Sequence, residues 1–170
     1  MKKQVSKIIL SAALIVARVV CQGQVYSPHG ISIPHQADEI NLSTYGKDVD
    51  KDWSLTEWYV STNILAKQLQ WNVLAMEAPL SIHQVCALAL TNLAKEYPQV
   101  RGWSLETVEL RHPCNNGVVP LDDYWYFAVH FKAVDHELQK ELENDIGFCP
   151  MQIVLLDGTV VPPKMVKNKK

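Results

Sequence analysis

Residues 79–98 carry the sequence PLSIHQVCALALTNLAKEYP, which predicts one capped amphipathic helix. Ser81 stands at the N-cap position, and Gln84 three residues later completes a capping box, in which each side chain bonds a backbone N–H group of the other residue. At about 100° per residue the apolar side chains share one stripe, and Pro98 ends the helix. The stripe consists of Ile82, Val85, Cys86, Ala89, Leu90, Leu93 and Tyr97. Because such a stripe is stable only when it is buried, we expect a sheet to cover it.

The residues that follow this helix predict an antiparallel sheet. Three runs are rich in β-branched and aromatic side chains and are separated by turn residues, namely 103–112, 124–133 and 151–156. Asp157-Gly158 is a two-residue hairpin signal, and it predicts a short fourth strand over residues 159–161. The order therefore predicts an α+β fold, with one amphipathic helix packed on a curled antiparallel sheet of three to four strands.

The run 124–133 predicts a strand with two unlike faces, because successive side chains of a strand point to opposite sides. The apolar face, which we expect to meet the helix, carries Trp125, Phe127, Val129 and Phe131. The mixed face, which we expect to meet solvent or a partner, carries Tyr124, Tyr126, Ala128, His130 and Lys132. The sequence thus predicts a partner-binding face at Tyr124, Tyr126 and His130.

The run 103–112 predicts a second strand with alternating faces. Strict alternation groups Val108 with Glu106, Leu110 and His112. It places Leu105 on the other face, together with Thr107, Glu109 and Arg111.

The first residues, 1–23, predict a signal peptide. Lys2 and Lys3 form a positive start, and residues 8–17 form an apolar run shorter than the roughly 20 residues that a membrane span needs. Small residues before Gln24 predict cleavage there, which leaves no transmembrane span. An alternative is a lipid anchor at Cys21, although the residues before it depart from the usual lipidation pattern. Both interpretations predict an exported protein, either periplasmic or secreted.

The rest of the chain divides by composition. Residues 24–51 are polar and contain several proline and glycine residues, which predicts a flexible lead-in. Residues 52–163 form the single α+β domain. Residues 164–170 are rich in lysine and predict a solvated basic tail.

The charge balance excludes one class of partner. Removal of residues 1–23 leaves twelve basic side chains against eighteen acidic ones, a net charge near −6. Sequence-independent binding of nucleic acid requires basic side chains that neutralise phosphates. We therefore expect no nucleic-acid partner.

Four aromatic side chains lie close together before the helix: Trp53, Trp58, Tyr59 and Trp71. We expect an extended piece around residues 58–60, followed by a helix of one or two turns that Ser61, Thr62 or Asn63 caps. The aromatic side chains either anchor this segment to a core or form a platform on which a ligand stacks.

No nucleophile motif, phosphate loop or dinucleotide fingerprint occurs, so the sequence predicts no catalytic residue, no metal and no cofactor. An alternative is a small metal-dependent or acid–base enzyme that uses His112, His130 and His136, with Asp135 beside the last of these.

The cysteine residues predict thiols rather than a disulfide. Cys86 lies on the helix stripe, where a buried inert thiol is the usual state. In a simple meander Cys114 and Cys149 lie at opposite ends of the sheet, some 25 Å apart for a strand of about eight residues. A disulfide needs Cα atoms within about 7 Å, so we do not expect this pair to be bonded.

Several segments resemble small exported bacterial proteins of unassigned function: residues 79–81, Trp103, residues 124–127 and residues 154–161. Over about residues 58–163, the helix followed by antiparallel strands also resembles PepSY-like and cystatin-like domains. The PepSY resemblance implies a binding or peptidase-regulating module. The cystatin resemblance does not extend to protease inhibition, because the spacing in residues 152–158 differs from the Gln-x-Val-x-Gly hairpin of cystatins.

These observations predict an exported, non-enzymatic binding or interaction module, with an unknown protein or peptide partner in the cell envelope. The alternatives are the enzyme built on histidine residues and a purely structural envelope protein.

Overall fold

The computed structural model describes residues 38–49, 52–68, 71, 78–113 and 124–168. These residues form ten elements, in chain order β1 (Glu39–Val49), β2 (Asp52–Ser61), α1 (Thr62–Leu65), α2 (Ile82–Glu96), β3 (Trp103–Arg111), β4 (Tyr126–Ala133), α3 (His136–Asn144), β5 (Met151–Leu155), β6 (Val160–Val161) and β7 (Pro163–Asn168). The strands form two antiparallel sheets. The first sheet has the order β1-β2-β7, and the second has the order β3-β4-β5-β6.

The described elements form three layers, in which the second sheet lies between the first sheet and α2. One apolar cluster joins the two sheets and includes Leu42, Trp58, Tyr126, Ile153 and Val161. A second cluster joins α2 to the other face of the second sheet and includes Val85, Leu93, Val108, Phe127 and Val154. The predicted α+β class, with a helix on a four-stranded antiparallel sheet, is therefore confirmed. The first sheet is not predicted by the sequence.

The helix α2 begins and ends as its sequence predicts. The Ser81 side chain accepts a hydrogen bond from the Gln84 N–H at 3.3 Å, and the Gln84 side chain accepts one from the Ser81 N–H at 2.9 Å. The N–H of Tyr97 closes the last turn by donating to the Leu93 carbonyl, directly before Pro98. The fully buried residues of the predicted stripe are Val85, Ala89 and Leu93.

A β-bulge changes the predicted faces of β3. Leu105 pairs with Phe131 and Thr107 pairs with His130, so Glu106 is an extra residue in the ladder. An extra residue inverts the alternation on one side of the bulge. Leu105 therefore faces α2, together with Val108, and Glu106 is exposed. The prediction that Leu105 lies opposite Val108 is wrong for this reason.

Both ends of the predicted domain extend into strands. The lead-in prediction for residues 24–51 is wrong for Glu39–Val49, which is β1, and the tail prediction for residues 164–170 is wrong for β7. In β1 a bulge between Asn41 and Ser43 interrupts the alternation that would have marked a strand. The chain leaves the second sheet after Val161 and enters the first sheet at Pro163, where it pairs with Trp58.

The predicted hairpin is present and depends on Gly158. Its φ of 89° lies in the left-handed region, where a side chain is strained. The Gly158 N–H donates to the Leu155 carbonyl at 3.0 Å, and the Leu155 N–H donates to the Thr159 carbonyl at 2.9 Å. The Asp157 carboxylate accepts from the Thr159 N–H at 2.8 Å.

Two short helices complete the described part of the chain. The Ser61 side chain caps α1 by accepting from the Ile64 N–H, and Ser61 is one of the three residues that the sequence offers for this cap. The Asp135 carboxylate caps α3 by accepting from the N–H groups of Glu137 and Leu138.

Within the described ranges, no helix combines the length and the apolar character that crossing a membrane requires. The predicted signal peptide, residues 1–23, and the alternative lipid site at Cys21 lie outside those ranges.

Candidate functional site

The face predicted to bind a partner is covered by the first sheet. Tyr126 is only 2% exposed, and its hydroxyl group donates to the backbone carbonyl of Leu42 on β1. Tyr124 is half-buried and packs against the same inter-sheet cluster. His130 lies on this face and is also half-buried. The prediction that the mixed face of this strand meets solvent or a partner is therefore wrong for Tyr126, because a sheet that the sequence did not reveal packs on it.

The four aromatic side chains before α2 do not form one platform. Trp58 is fully buried between the sheets, whereas Trp71 belongs to the cluster beneath α2. Trp53 is buried beside Leu55 and Val166 on the outer face of the first sheet, and Tyr59 packs against them. Anchoring to a core is thus the interpretation that these positions support.

The three histidine residues of the enzyme alternative lie apart. His112 packs edge-on against Trp125 at 5.3 Å, on the side of the second sheet that faces α2. His130 projects from the opposite face of that sheet, and His136 is the exposed first residue of α3. The neighbouring Asp135 is occupied as a helix cap. Among the described residues, no group of three or more His, Cys, Asp or Glu side chains is placed to hold a metal ion.

The thiol of Cys149, two residues before β5, is buried. Burial raises its pKa to about 12, so the thiol stays protonated and unreactive at neutral pH. Cys86 is half-buried on α2, and burial also raises its pKa. Cys114 lies outside the described residues, so the expectation that it does not pair with Cys149 stays a prediction.

Polar side chains instead converge where β1 lies over β3. The guanidinium group of Arg111 donates to one carboxylate oxygen of Glu109 from Nε at 2.8 Å and from Nη2 at 2.7 Å. Its Nη1 donates to the Ser43 hydroxyl at 3.0 Å, across the gap between the sheets. The side chains of Arg111 and Glu109 are 11% and 25% exposed, respectively.

The register of the second sheet brings His130 to the same face. Arg111 pairs with Tyr126, Glu109 with Ala128 and Thr107 with His130. Because paired residues of an antiparallel ladder point to the same side, all of these side chains point toward the first sheet. We call Ser43, Glu109, Arg111 and His130 the inter-sheet polar cluster.

His130 differs from the other three members of this cluster. Its Nε2 atom is buried and has no hydrogen-bond partner among the described residues. Burial, and secondarily the charge of Arg111, lowers the pKa of the imidazole from its ordinary value. The ring is therefore neutral at neutral pH, and Nε2 either donates or accepts one hydrogen bond, depending on the tautomer.

Sequence reasoning found part of this cluster. Alternation alone places Glu109 and Arg111 on one face of β3, and it places His130 on the mixed face of β4. It missed Ser43, because the surrounding segment is polar and its alternation is interrupted by a bulge. No local signal in the sequence shows that Ser43 meets Arg111.

A second polar cluster, on the outer face of the first sheet, is internally paired. The carboxylate of Glu57 accepts from Asn41 at 3.1 Å, from Thr44 at 3.2 Å and from the Tyr59 hydroxyl at 2.7 Å. Burial, followed by the hydrogen bond to Glu57, raises the pKa of Tyr59 to about 12. Because the carboxylate of Glu57 is satisfied within the sheet, this cluster has a structural role.

No protein-family model, no curated protein and no solved structure matches this chain. The resemblance to PepSY-like and cystatin-like domains therefore stays a prediction that rests on the pattern of helix and strands.

Proposed function

We propose that this protein is an exported, non-enzymatic binding module, and that its partner contacts the inter-sheet polar cluster. The observation that carries this proposal is the buried Nε2 atom of His130, one of four buried side-chain atoms in the described part of the chain for which no described residue is a hydrogen-bond partner. Buried polar atoms in native proteins nearly always have a partner, and leaving one without a partner costs about 1–3 kcal/mol. A group supplied from outside the described residues would remove that cost.

The other members of the cluster are bonded to one another and not to His130. The carboxylate of Glu109 and the hydroxyl of Ser43 both accept from Arg111. They hold the guanidinium group in place and offset its charge, so the site is close to neutral. A hydrogen-bonding group of a protein or peptide, rather than a strongly charged ion, is the ligand that suits such surroundings.

The strands around the cluster favour a partner that binds through side-chain contacts over a partner that adds a strand to the edge of a sheet. Among the described residues, β1 and β3 are the outermost strands of their sheets on this side of the molecule. Each carries a bulge, and β3 carries charged side chains at Glu106, Glu109 and Arg111. Bulges and charges are the features with which proteins protect sheet edges from pairing.

Two lines of sequence evidence support the rest of the proposal. Export rests on the charged start and short apolar run of residues 1–23. The PepSY-like pattern supports a binding role only as an analogy of fold.

A capture experiment with variants tests the proposal. The mature chain, from Gln24, is immobilised and exposed to envelope extract, alongside His130→Phe and Thr91→Ala. Phenylalanine keeps the ring volume and removes the nitrogen atoms, whereas Thr91 lies on the exposed side of α2. We expect the wild type and Thr91→Ala to retain a common protein that His130→Phe loses while its melting temperature is maintained. Equal retention by all three folded proteins would refute the site.

A further inference from the structure

His130 lies on the face of the second sheet that packs against the first sheet. It belongs to β4, where it pairs with Thr107 on one side and with Met151 on the other. Two direct bonds cross from the same face of the second sheet to β1, one from Arg111 to Ser43 and one from Tyr126 to Leu42. A change of charge at His130 therefore arises on the face that holds the first sheet.

Burial, together with the balance of the neighbouring charges, disfavours a proton on the ring of His130 and lowers its pKa. From β3, Arg111 opposes the added charge, while Glu109 and Glu106 favour it. The Glu109 carboxylate is already bonded to Arg111, and Glu106 is exposed to water, which weakens its effect.

The elements packed against β4 add no free buried anion. From β1, Tyr45 lies in the inter-sheet core with a pKa that burial raises, so it is neutral. Lys47 is engaged elsewhere, because its Nζ donates to the carbonyls of Leu142 and Asp145. Met151 of β5 is apolar, and the thiol of Cys149, just before that strand, is protonated. Glu143 of α3 is exposed.

We propose that His130 makes the packing between the two sheets sensitive to pH: when its imidazole gains a proton, the first sheet loosens from the second. The added charge has no described partner, and the positive charge of Arg111, whose guanidinium group is held in place, opposes it. The folded chain relieves that charge most readily by admitting water between β1 and β3. This inference concerns the protein alone and does not require the proposed partner.

The direction of the effect follows from the two protonation equilibria. An unfolded or locally opened chain binds a proton at the ordinary histidine pKa of about 6.5, whereas the closed form binds it only at lower pH. The packing of the first sheet on the second is therefore undisturbed above about pH 6.5 and is progressively disfavoured below that pH.

Hydrogen exchange tests the inference on the mature chain without any ligand. Protection of backbone amides is compared at about pH 7.5 and about pH 5, after correction for the intrinsic pH dependence of exchange. We expect amides of β1 and β2 to lose protection several-fold at the lower pH, while those of α2 and β5 retain it. His130→Phe should abolish the loss, and His136→Gln, which changes an exposed histidine, should preserve it.

Two outcomes would overturn the inference. In the first, His130→Phe loses as much amide protection at the lower pH as the wild type does. In the second, the two sheets of the wild type lose protection equally. If His130→Phe does not fold, the inference is tested by following the titration of the His130 side chain in the wild-type protein by NMR. Titration of His130 at the ordinary histidine pKa of about 6.5, with unchanged protection of the first sheet, would show that its proton does not loosen the sheets.

Discussion

The hydroxyl group of Tyr126 bonds the backbone carbonyl of Leu42, and this contact joins an interior strand of the second sheet to the outermost strand of the first. The bond is buried, and its two residues are 84 positions apart in the sequence. It explains why a tyrosine stands at a position that packs among apolar side chains. The ring fills the inter-sheet core, and the hydroxyl group donates a hydrogen bond to a buried carbonyl oxygen.

Removal of this hydroxyl should weaken the fold. Tyr126→Phe keeps the ring but deprives the Leu42 carbonyl of its donor, which should cost about 1–3 kcal/mol in the free energy of unfolding. Tyr124→Phe is the matched control, because Tyr124 precedes β4 and is half-buried. Denaturant unfolding of both variants checks this. If the two changes lower stability equally, the bond to Leu42 is not the cause.

The two sides of α2 should respond differently to substitution. Leu93 is fully buried beneath the helix, so Leu93→Ala should destabilise by about 2–5 kcal/mol through a cavity. Thr91 is exposed and bonds only the Ala87 carbonyl within the helix, so Thr91→Ala should be close to neutral. If urea unfolding shows that the two variants lose similar amounts of stability, the result would contradict the placement of the helix on the sheet.

The buried amide of Gln152 should matter through its partners on α2. Its Oε1 atom accepts from Asn92 at 2.8 Å, and its Nε2 atom donates to Glu96 at 3.0 Å. Asn92→Ala leaves a buried acceptor without its donor and should cost about 1–3 kcal/mol. Adding Gln152→Leu to that variant should recover part of the loss, since it removes the orphaned acceptor. A double variant less stable than Asn92→Ala would contradict this account.

The turn glycine should be more sensitive to substitution than a strand glycine. Gly158 has a φ of 89°, and an added Cβ would lie 3.3 Å from a methyl group of Leu88. Gly158→Ala should therefore destabilise by about 1–3 kcal/mol. At Gly46 an added Cβ would meet no atom within 4 Å, so Gly46→Ala should not destabilise. Melting temperatures of the two variants make the comparison.

Export predicts a shortened chain in the envelope or the medium. Mass spectrometry of material from either fraction should show an N-terminus near Gln24, because the small residues before it mark a cleavage site. A cysteine with attached lipid at position 21 would instead support the anchor. An intact Met1 on soluble cytoplasmic protein would be evidence against both.

The sequence by itself determined the features that depend on neighbouring residues. The cap at Ser81 and Gln84, the buried stripe of α2 and the turn at Gly158 each depend on residues a few positions apart. The apolar face of β4 follows from alternation, and Phe127 and Val129 do lie beneath the helix. Helical period, capping and turn geometry are properties of a short segment, so they can be inferred without knowing what the segment packs against.

Only the tertiary structure decided what covers the mixed face of β4. The strand β1 lacks regular alternation because of its bulge, and β7 follows Pro162, begins with Pro163 and contains lysine residues, so neither has a strong local strand signal. Their strand character comes from pairing with β2, which supplies backbone partners and an apolar face. The pairing of β2 with β7 joins segments far apart in the chain, and no periodicity encodes it.

In the inter-sheet polar cluster, too, the sequence predicts part of the arrangement and the tertiary structure decides the rest. Alternation assigns Glu109, Arg111 and His130 to faces of their own strands, but a face becomes a site only when something packs on it. Ser43 meets Arg111 from 68 positions away, because two sheets stack there. The burial that lowers the pKa of His130 arises from the folded environment of β4. Burial and long-range pairing are properties of the folded chain, and for this reason the structure, and not the sequence, located the candidate site.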